Sequence, residues 1–343
     1  MVWDDGAETD SILYLDSAAV GALLGEIDPI AVVESVFALH ASRDVILPDE
    51  AYLGWTTQSG AGARSLSMPA FVGGAFQACG TKIINANPAN AARDLPRASG
   101  ITVLFDVETA RISCIMEGAA ISALRTAAVS MLCLRRLARR SIERLAIVGA
   151  GRIAGAHLEL ATKTLPELRE VRIFDLDPNA ASRLAGAAGA TRAVACESVA
   201  DALGGADAIV TATTATAGYI GCDLLEPGTT VVNVSLDDLC EDVYLCAGLV
   251  VVDDWMLVKH DDRRLLGRLH RAGRVGGPGE PGRWERSVDA EIGDIVAGRH
   301  PGRTSPDQVV IVNPFGLAIE DVAFAGAVYA AALRQRIGAH LRR

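Results

Sequence analysis

Gly149, Gly151 and Ala154 in the stretch LAIVGAGRIAGAHLEL match the spacing GxGxxG/A. That spacing suits a pyrophosphate: the first glycine makes a tight turn, the second lets the backbone approach the phosphates, and a small third residue lets the helix pack on its strand. A glycine turn alone is a weak signal, because any strand–turn–helix can use one. Asp175, at the end of VRIFDLD, falls about where a ribose-binding acid belongs. A carboxylate there accepts the adenosine 2′-hydroxyl and repels a 2′-phosphate, so the pair predicts NAD rather than NADP. Further charges stand in apolar surroundings: Arg64 in GARSLSMPA, Lys82 in CGTKIINANP, Arg97 in DLPRASGITVLF, Arg125 in ISALRTAA and Asp238 in NVSLDDLCED. For each, a surface charge or structural ion pair competes with a functional role. Arg125 differs, since an arginine among small apolar residues of a buried helix needs an anionic partner. Asp238 follows the strand-like VVNVSL, and ligands of parallel sheets sit beyond strand ends of that kind.

The elements that must position these residues read as two regions. In the N-terminal third, the helical DPIAVVESVFALHASR accompanies strand-like GARSLSMPAFV, GTKIINANP and SGITVLFDVET, an α+β unit. EGAAISALRTAAVSMLCLRRLARR predicts a long buried helix leading into the second region. There RLAIVGA, EVRIFDLD, TRAVA, DAIVTATT, GTTVVNVS and GLVVVDD, most of them separated by helical patterns, predict a doubly wound parallel sheet. HRAGRVGGPGEPGRWER reads as an exposed loop. The chain then offers a last strand, a turn at Asn313-Pro314 and a C-terminal helix. The fold class expected is therefore α/β.

Length and composition bound the function. A chain of 343 residues, half of them hydrophobic, can build two domains. With 32 Lys+Arg against 42 Asp+Glu, the net charge of −10 disfavours nucleic acid and anionic membranes as partners. The local exception, RRLARR from Arg135 to Arg140, reads as the solvated C-terminal end of a helix. Seven cysteines, at positions 79, 114, 133, 196, 222, 240 and 246, include no CxxC and read as buried reduced thiols. No HxxxH occurs among the six histidines, so no metal site is expected. Residues 1–20 lack a signal-peptide pattern and no apolar run approaches a membrane span, which predicts a cytoplasmic protein.

Taken in order, GTKII, LPRASGITVLFD, EGAAISALRTAA, GAGRIAGAHL, NVSLDDL and VNPFGLAIEDVAFA resemble the ornithine cyclodeaminase/mu-crystallin family of NAD(P)-dependent enzymes. Within it, LPRAS, SLDDL and NPFGLAIED are most similar to the branch that oxidises N-(2-amino-2-carboxyethyl)-L-glutamate to L-2,3-diaminopropionate and 2-oxoglutarate for siderophore and peptide-antibiotic pathways. Asp237 departs from that branch, which usually carries arginine there.

The resemblance implies a substrate and dimerisation domain from residues 1–125 and 318–343, and an NAD-binding Rossmann domain from residues 126–317. It implies a homodimer acting on a small amino-acid substrate. Arg64 and Arg125 would hold a substrate carboxylate, Arg97 would join them, Lys82 would polarise a carboxylate or orient water, and Asp238 would be the acid/base. Cofactor contacts would come from Thr126, Gly149, Gly151, Arg152, Ile153, Ala154, Asp175, Thr213, Ser235, Asn313 and Gly316. The same family offers two alternatives: a cyclodeaminase giving proline or pipecolate, and a non-catalytic ligand carrier.

Overall fold

The computed structural model describes residues 11–139 and 141–343. The chain divides into two compact units, one of the described residues up to Arg125 with Leu317–Arg343, the other Thr126–Gly316. Arg140 of the basic cluster lies outside the described residues, as do residues 1–10.

The first unit is built on one sheet, ordered Ala339–Arg342, Ser11–Leu15, Ile112–Glu117, Ala98–Phe105, Ala78–Ala86, Gly62–Val72 and Val45–Ile46, with Ala51–Thr56 also paired to Gly62–Val72. Ser11–Leu15 runs parallel to Ile112–Glu117 and the other pairings are antiparallel. Alternation decides which face is buried: Met68, Ala70 and Val72 point inward from one strand, and Ala78, Gly80 and Lys82 from the next. The helix Ala318–Gln335 packs on these two strands, which accounts for Lys82 being only 2% exposed. The helix Pro29–Ser42 begins where Asp28 accepts the backbone N–H groups of Ile30 and Ala31, with Pro29 preset for the first turn. The chain does not end on a helix as its sequence suggests. Ala339–Arg342 adds a short edge strand beside Ser11–Leu15, and a pairing so distant in sequence leaves no local pattern.

The second unit is an all-parallel sheet in the order Arg192–Ala195, Glu170–Phe174, Arg144–Val148, Ala208–Thr211, Thr230–Asn233, Val310–Asn313, Leu249–Val252 and Ala290–Glu291. Ala208–Thr211, Thr230–Asn233, Leu249–Val252 and Val310–Asn313 are buried at every residue, which is why they read as continuous apolar runs. The winding reverses at Arg144–Val148, which lies between Glu170–Phe174 and Ala208–Thr211; this is the topological switch point of a Rossmann fold. The helix Ala119–Leu137 carries the chain from the first unit into the second.

Two regions depart from what their sequence suggests. The glycine-rich segment is not simply an exposed loop, because Val275, Gly276 and Gly277 are buried. His270 stacks on Trp284 at 5.4 Å and meets Trp255 edge-on at 5.3 Å, and a Cβ at Gly276 would lie 2.3 Å from the Trp284 indole nitrogen. The glycines there make room for aromatic packing. The cysteines are not uniformly buried thiols either: Cys222 and Cys246 form a disulfide, and Cys79, Cys196 and Cys240 are only half-buried. A separation of 24 residues gave no sign of that pairing, which depends on the turn Cys222–Leu224 lying against the helix Glu241–Cys246. Only Cys114 and Cys133 are buried thiols, and burial pushes the Cys114 thiol up to about 12. Among the described residues no helix is long and apolar enough to cross a membrane, and no group of His, Cys, Asp or Glu is arranged to hold a metal ion.

Candidate active site

At the switch point the strand Arg144–Val148 ends in Gly149, whose φ of 103° is a conformation that L side chains rarely adopt. A Cβ there would lie 2.5 Å from the Ala212 carbonyl oxygen, so the loops after two neighbouring strands approach as closely as backbone allows. Gly151 has open space where a Cβ would be, and it begins the helix Arg152–Thr164, whose N-terminus no side chain caps among the described residues. Ala154 is fully buried, Ile153 half-buried and Arg152 exposed. Backbone N–H groups left at a helix start, beside a turn with no side chain in front of it, fit the phosphates of a dinucleotide. Asp175 stands just beyond Glu170–Phe174; one oxygen accepts the Ala150 N–H at 2.7 Å and the other the Asp177 N–H at 2.8 Å. Each oxygen keeps a lone pair for a ribose hydroxyl, while the carboxylate also braces the glycine turn.

In the next two loops Thr213, Ser235 and Asp238 come together. Ser235 Oγ accepts the Thr213 N–H at 2.7 Å, and Thr213 Oγ1 donates to Asp238 Oδ1 at 2.5 Å. The Tyr219 hydroxyl donates to the same Oδ1 at 2.5 Å, while the Tyr219 and Ile220 N–H groups bind the Asp238 carbonyl oxygen. Burial, followed by the Asp238 contact, raises the Tyr219 pKa, so its phenol stays protonated and donates. Asp238 is fully buried, and among the described residues its second oxygen, Oδ2, has no hydrogen-bond partner. Asp237, at the position of departure, forms an ion pair with Arg268 at 2.9 Å instead.

Asn313 and Gly316 lie on a braced loop. Asn313 accepts the Tyr244 hydroxyl at 2.6 Å and donates to the Asn233 carbonyl at 3.0 Å. Asp253 accepts the Gly316 N–H at 2.6 Å, and Arg264 donates to the carbonyls of Pro314 and Phe315 while lying 4.5 Å over the Phe315 ring. Burial raises the Asp253 pKa and lowers that of Arg264. Thr126 sits half-buried on the helix Ala119–Leu137.

In the first unit Lys82 and Arg125 converge on the helix Ala318–Gln335. Lys82 Nζ is 2.6 Å from Asp321 Oδ2, and Arg125 lies 2.8 Å from Glu320 and 3.4 Å from that same Asp321 oxygen. Burial lowers the Lys82 pKa, against the pull of Asp321. Arg125 thus has the anionic partner its setting demands. Adjacent acids in the apolar run AIEDVAFA are a signal that would have found Glu320 and Asp321; nothing local marks Tyr219, Tyr244, Asp253 or Arg264. Arg64 and Arg97 are grouped apart from this cluster, at one end of the sheet: Arg64 is opposite Ala86, which is opposite Ala98.

The chain matches the model of the ornithine cyclodeaminase/mu-crystallin family over residues 22–336. It is 31% identical over 317 residues to the N-((2S)-2-amino-2-carboxyethyl)-L-glutamate dehydrogenase of Staphylococcus aureus, covering 91% of each chain. Among solved structures it is similar to CmnK, with a TM-score of 0.90, 34% identity and coverage of 97% of this chain and 98% of that one. It is also similar to an archaeal alanine dehydrogenase dimer with bound NAD, with a TM-score of 0.84, 26% identity and coverage of 97% and 99%.

Proposed function

The chain belongs to the ornithine cyclodeaminase/mu-crystallin family, and from that premise we propose that it is an NAD-dependent dehydrogenase of the Cα–N bond in an amino-acid conjugate, N-(2-amino-2-carboxyethyl)-L-glutamate. Oxidation and hydrolysis consume NAD⁺ and water and release L-2,3-diaminopropionate, 2-oxoglutarate, NADH and a proton. The Staphylococcus aureus dehydrogenase, 31% identical over 91% of the chain, supports this substrate over others of the family. A homodimer is proposed with it, in line with the dimeric archaeal relative.

The observation that carries the reading is the Asp238 carboxylate. Two hydroxyl donors fix Oδ1, and Oδ2 is left bare. A carboxylate oxygen that no protein donor holds is open to accept a proton from a bound substrate. Oδ2 would take the proton from the substrate nitrogen and release it to solvent as the net proton of the reaction; it would then take one from the water that adds to the oxidised carbon and hand it to the departing amine nitrogen. When bound, NAD supplies the acceptor for the hydride on the substrate Cα. Gly149, Gly151, Ala154 and Asp175 would hold its pyrophosphate and ribose, with Thr126, Arg152, Ile153, Thr213, Ser235, Asn313 and Gly316 completing its contacts. Arg64, Arg97 and Arg125 would orient substrate carboxylates. Lys82, with its pKa lowered by burial, would exchange a proton more readily than an exposed lysine.

The test is incubation with the conjugate and NAD, following absorbance at 340 nm and identifying products by mass. NADH accumulating together with diaminopropionate is the expected result. Ammonia release from ornithine without net NADH would replace this reading with a cyclodeaminase, and ligand affinity without turnover would replace it with a carrier.

A further inference from the structure

The base assigned above has a second acid beside it. Asp237 and Asp238 are neighbours in one loop, 6% and 0% exposed, so two carboxylates share a poorly hydrated place. Like charges held together out of water make either one harder to ionise. The groups facing them come from several elements. Thr213 and Tyr219 hold Asp238 Oδ1, and Asp175 lies within electrostatic range of Tyr219. Tyr244, on the helix Glu241–Cys246, lies within range of Asp237, Asp238 and Arg264. Arg268 is the cation that touches the pair: its Nη2 donates to Asp237 Oδ1 at 2.9 Å.

The helix that carries Arg268, Leu265–Arg271, is fixed before it reaches Asp237. Its N-cap, Arg264, donates to the carbonyls of Pro314 and Phe315, and the Arg268 N–H donates to the Arg264 carbonyl at 3.1 Å. Leu266 and Leu269 are buried, and a Cβ at Gly267 would lie 2.2 Å from the Asp261 carbonyl oxygen, so the helix lies flush on the turn before it. Arg268 Nη1 donates to the Arg263 carbonyl at 2.9 Å, which pins one arm of the guanidinium while the other meets Asp237. A cation anchored in this way gives up little freedom in the pairing, unlike a loose surface arginine.

We propose that Arg268 is a positioning residue for the reaction: it neutralises Asp237, leaves Asp238 as the one uncompensated carboxylate of the two, and thereby sets the pH range in which that base works. The inference rests on the function proposed above and extends it to a residue that acts through another.

The test is NADH formation by the full chain from the conjugate at saturating NAD, followed from about pH 5 to about pH 9. Arg268→Gln should move the acid limb of kcat/KM up by about one pH unit, about a tenfold loss near pH 6 that shrinks at higher pH. Arg268→Lys should restore most of it. Adding Asp237→Asn to Arg268→Gln should restore it too, an outcome a merely structural role does not give. Arg271→Gln, which removes the exposed pair with Asp262 from the same helix, should leave the profile unchanged. Arg268 is itself exposed, so its variants keep the fold.

Urea midpoints supply a readout that needs no substrate. With Arg268 gone, the two acids bind a proton more tightly in the folded chain than in the unfolded one, so stability falls as pH rises. The deficit of Arg268→Gln against wild type should widen from about pH 5 to about pH 7 and close when Asp237→Asn is added. An unmoved acid limb, a loss equal at every pH, a double variant no better than the single, or a urea deficit independent of pH would overturn the proposal. Failure of the dehydrogenase reading is a separate outcome: no NADH from the conjugate with the wild type, while the urea deficit still widens with pH.

Discussion

Asp321 and Asp238 are two buried aspartates with the same arrangement and opposite consequences. Each is fully buried, each has two groups held against one oxygen, and among the described residues each leaves the other oxygen without a hydrogen-bond partner. At Asp321 they are Lys82, which donates at 2.6 Å, and Arg125, an ion pair at 3.4 Å, both cations. At Asp238 they are the hydroxyls of Thr213 and Tyr219, both neutral. Charged donors cancel the carboxylate and make it a structural anchor, whereas neutral donors orient it and leave its negative charge in place. Geometry alone does not separate a base from a brace; the charge of the partners does.

Substitutions at the two positions should therefore fail differently. Asp238→Asn keeps the shape and removes the base, so kcat should fall on the order of 10²- to 10⁴-fold, with thermal stability unchanged or raised because a buried charge is lost. A spectrophotometric assay beside a melting curve measures both, and retained turnover would end the base assignment. Asp321→Asn should act through the fold, since it takes from buried Lys82 the carboxylate it pairs with, while Arg125 keeps Glu320, at a cost of about 3–5 kcal/mol in a urea titration. A variant as stable as the wild type would show that the cluster is not the anchor described.

His157 extends the comparison to a buried base with neutral partners. Ile153 offers only a carbonyl, so Nδ1 carries the proton and donates to it at 2.7 Å, leaving Nε2 to accept the Ser130 hydroxyl at 2.8 Å. Burial lowers the pKa from 6.5 to about 4. The unfolded chain then binds the extra proton first, so stability is full above pH 6.5 and is lost as the pH falls toward 4, by about 3 kcal/mol. Urea midpoints across that range should show the loss in the wild type and not in His157→Gln. The smallest effect is expected of Tyr219→Phe, which removes one of two donors from Asp238: roughly a tenfold fall in kcat, with KM little changed. An equal fall on replacing Asp238 itself would mean that the phenol, not the carboxylate, is the reacting group.

Legibility in the sequence followed the range of the interaction. The glycine turn, the apolar parallel strands and the helix Ala119–Leu137 depend on neighbours a few residues apart, and each left its period or spacing in the chain. Arg125 announced a need for an anion without saying which, because Glu320 lies 195 residues away. The partners of Asp238 were illegible for a related reason: Tyr219 is brought to it by the bridge between Ile220 and Leu239, a contact between loops with no periodicity. Cys222 and Cys246, and the aromatic packing inside the glycine-rich segment, belong to the same class.

The sequence by itself determined the Rossmann unit, the glycine turn with the acid beyond the next strand, and the set of charged residues that chemistry would need, because those are matters of local conformation and residue type. Only the tertiary structure decided which charges are spent and which are free. Lys82 and Arg125 are neutralised by the helix Ala318–Gln335, Arg64 and Arg97 are not, and Asp238 keeps one bare oxygen. Burial sets the cost of each charge, and the partners that meet it come from far along the chain.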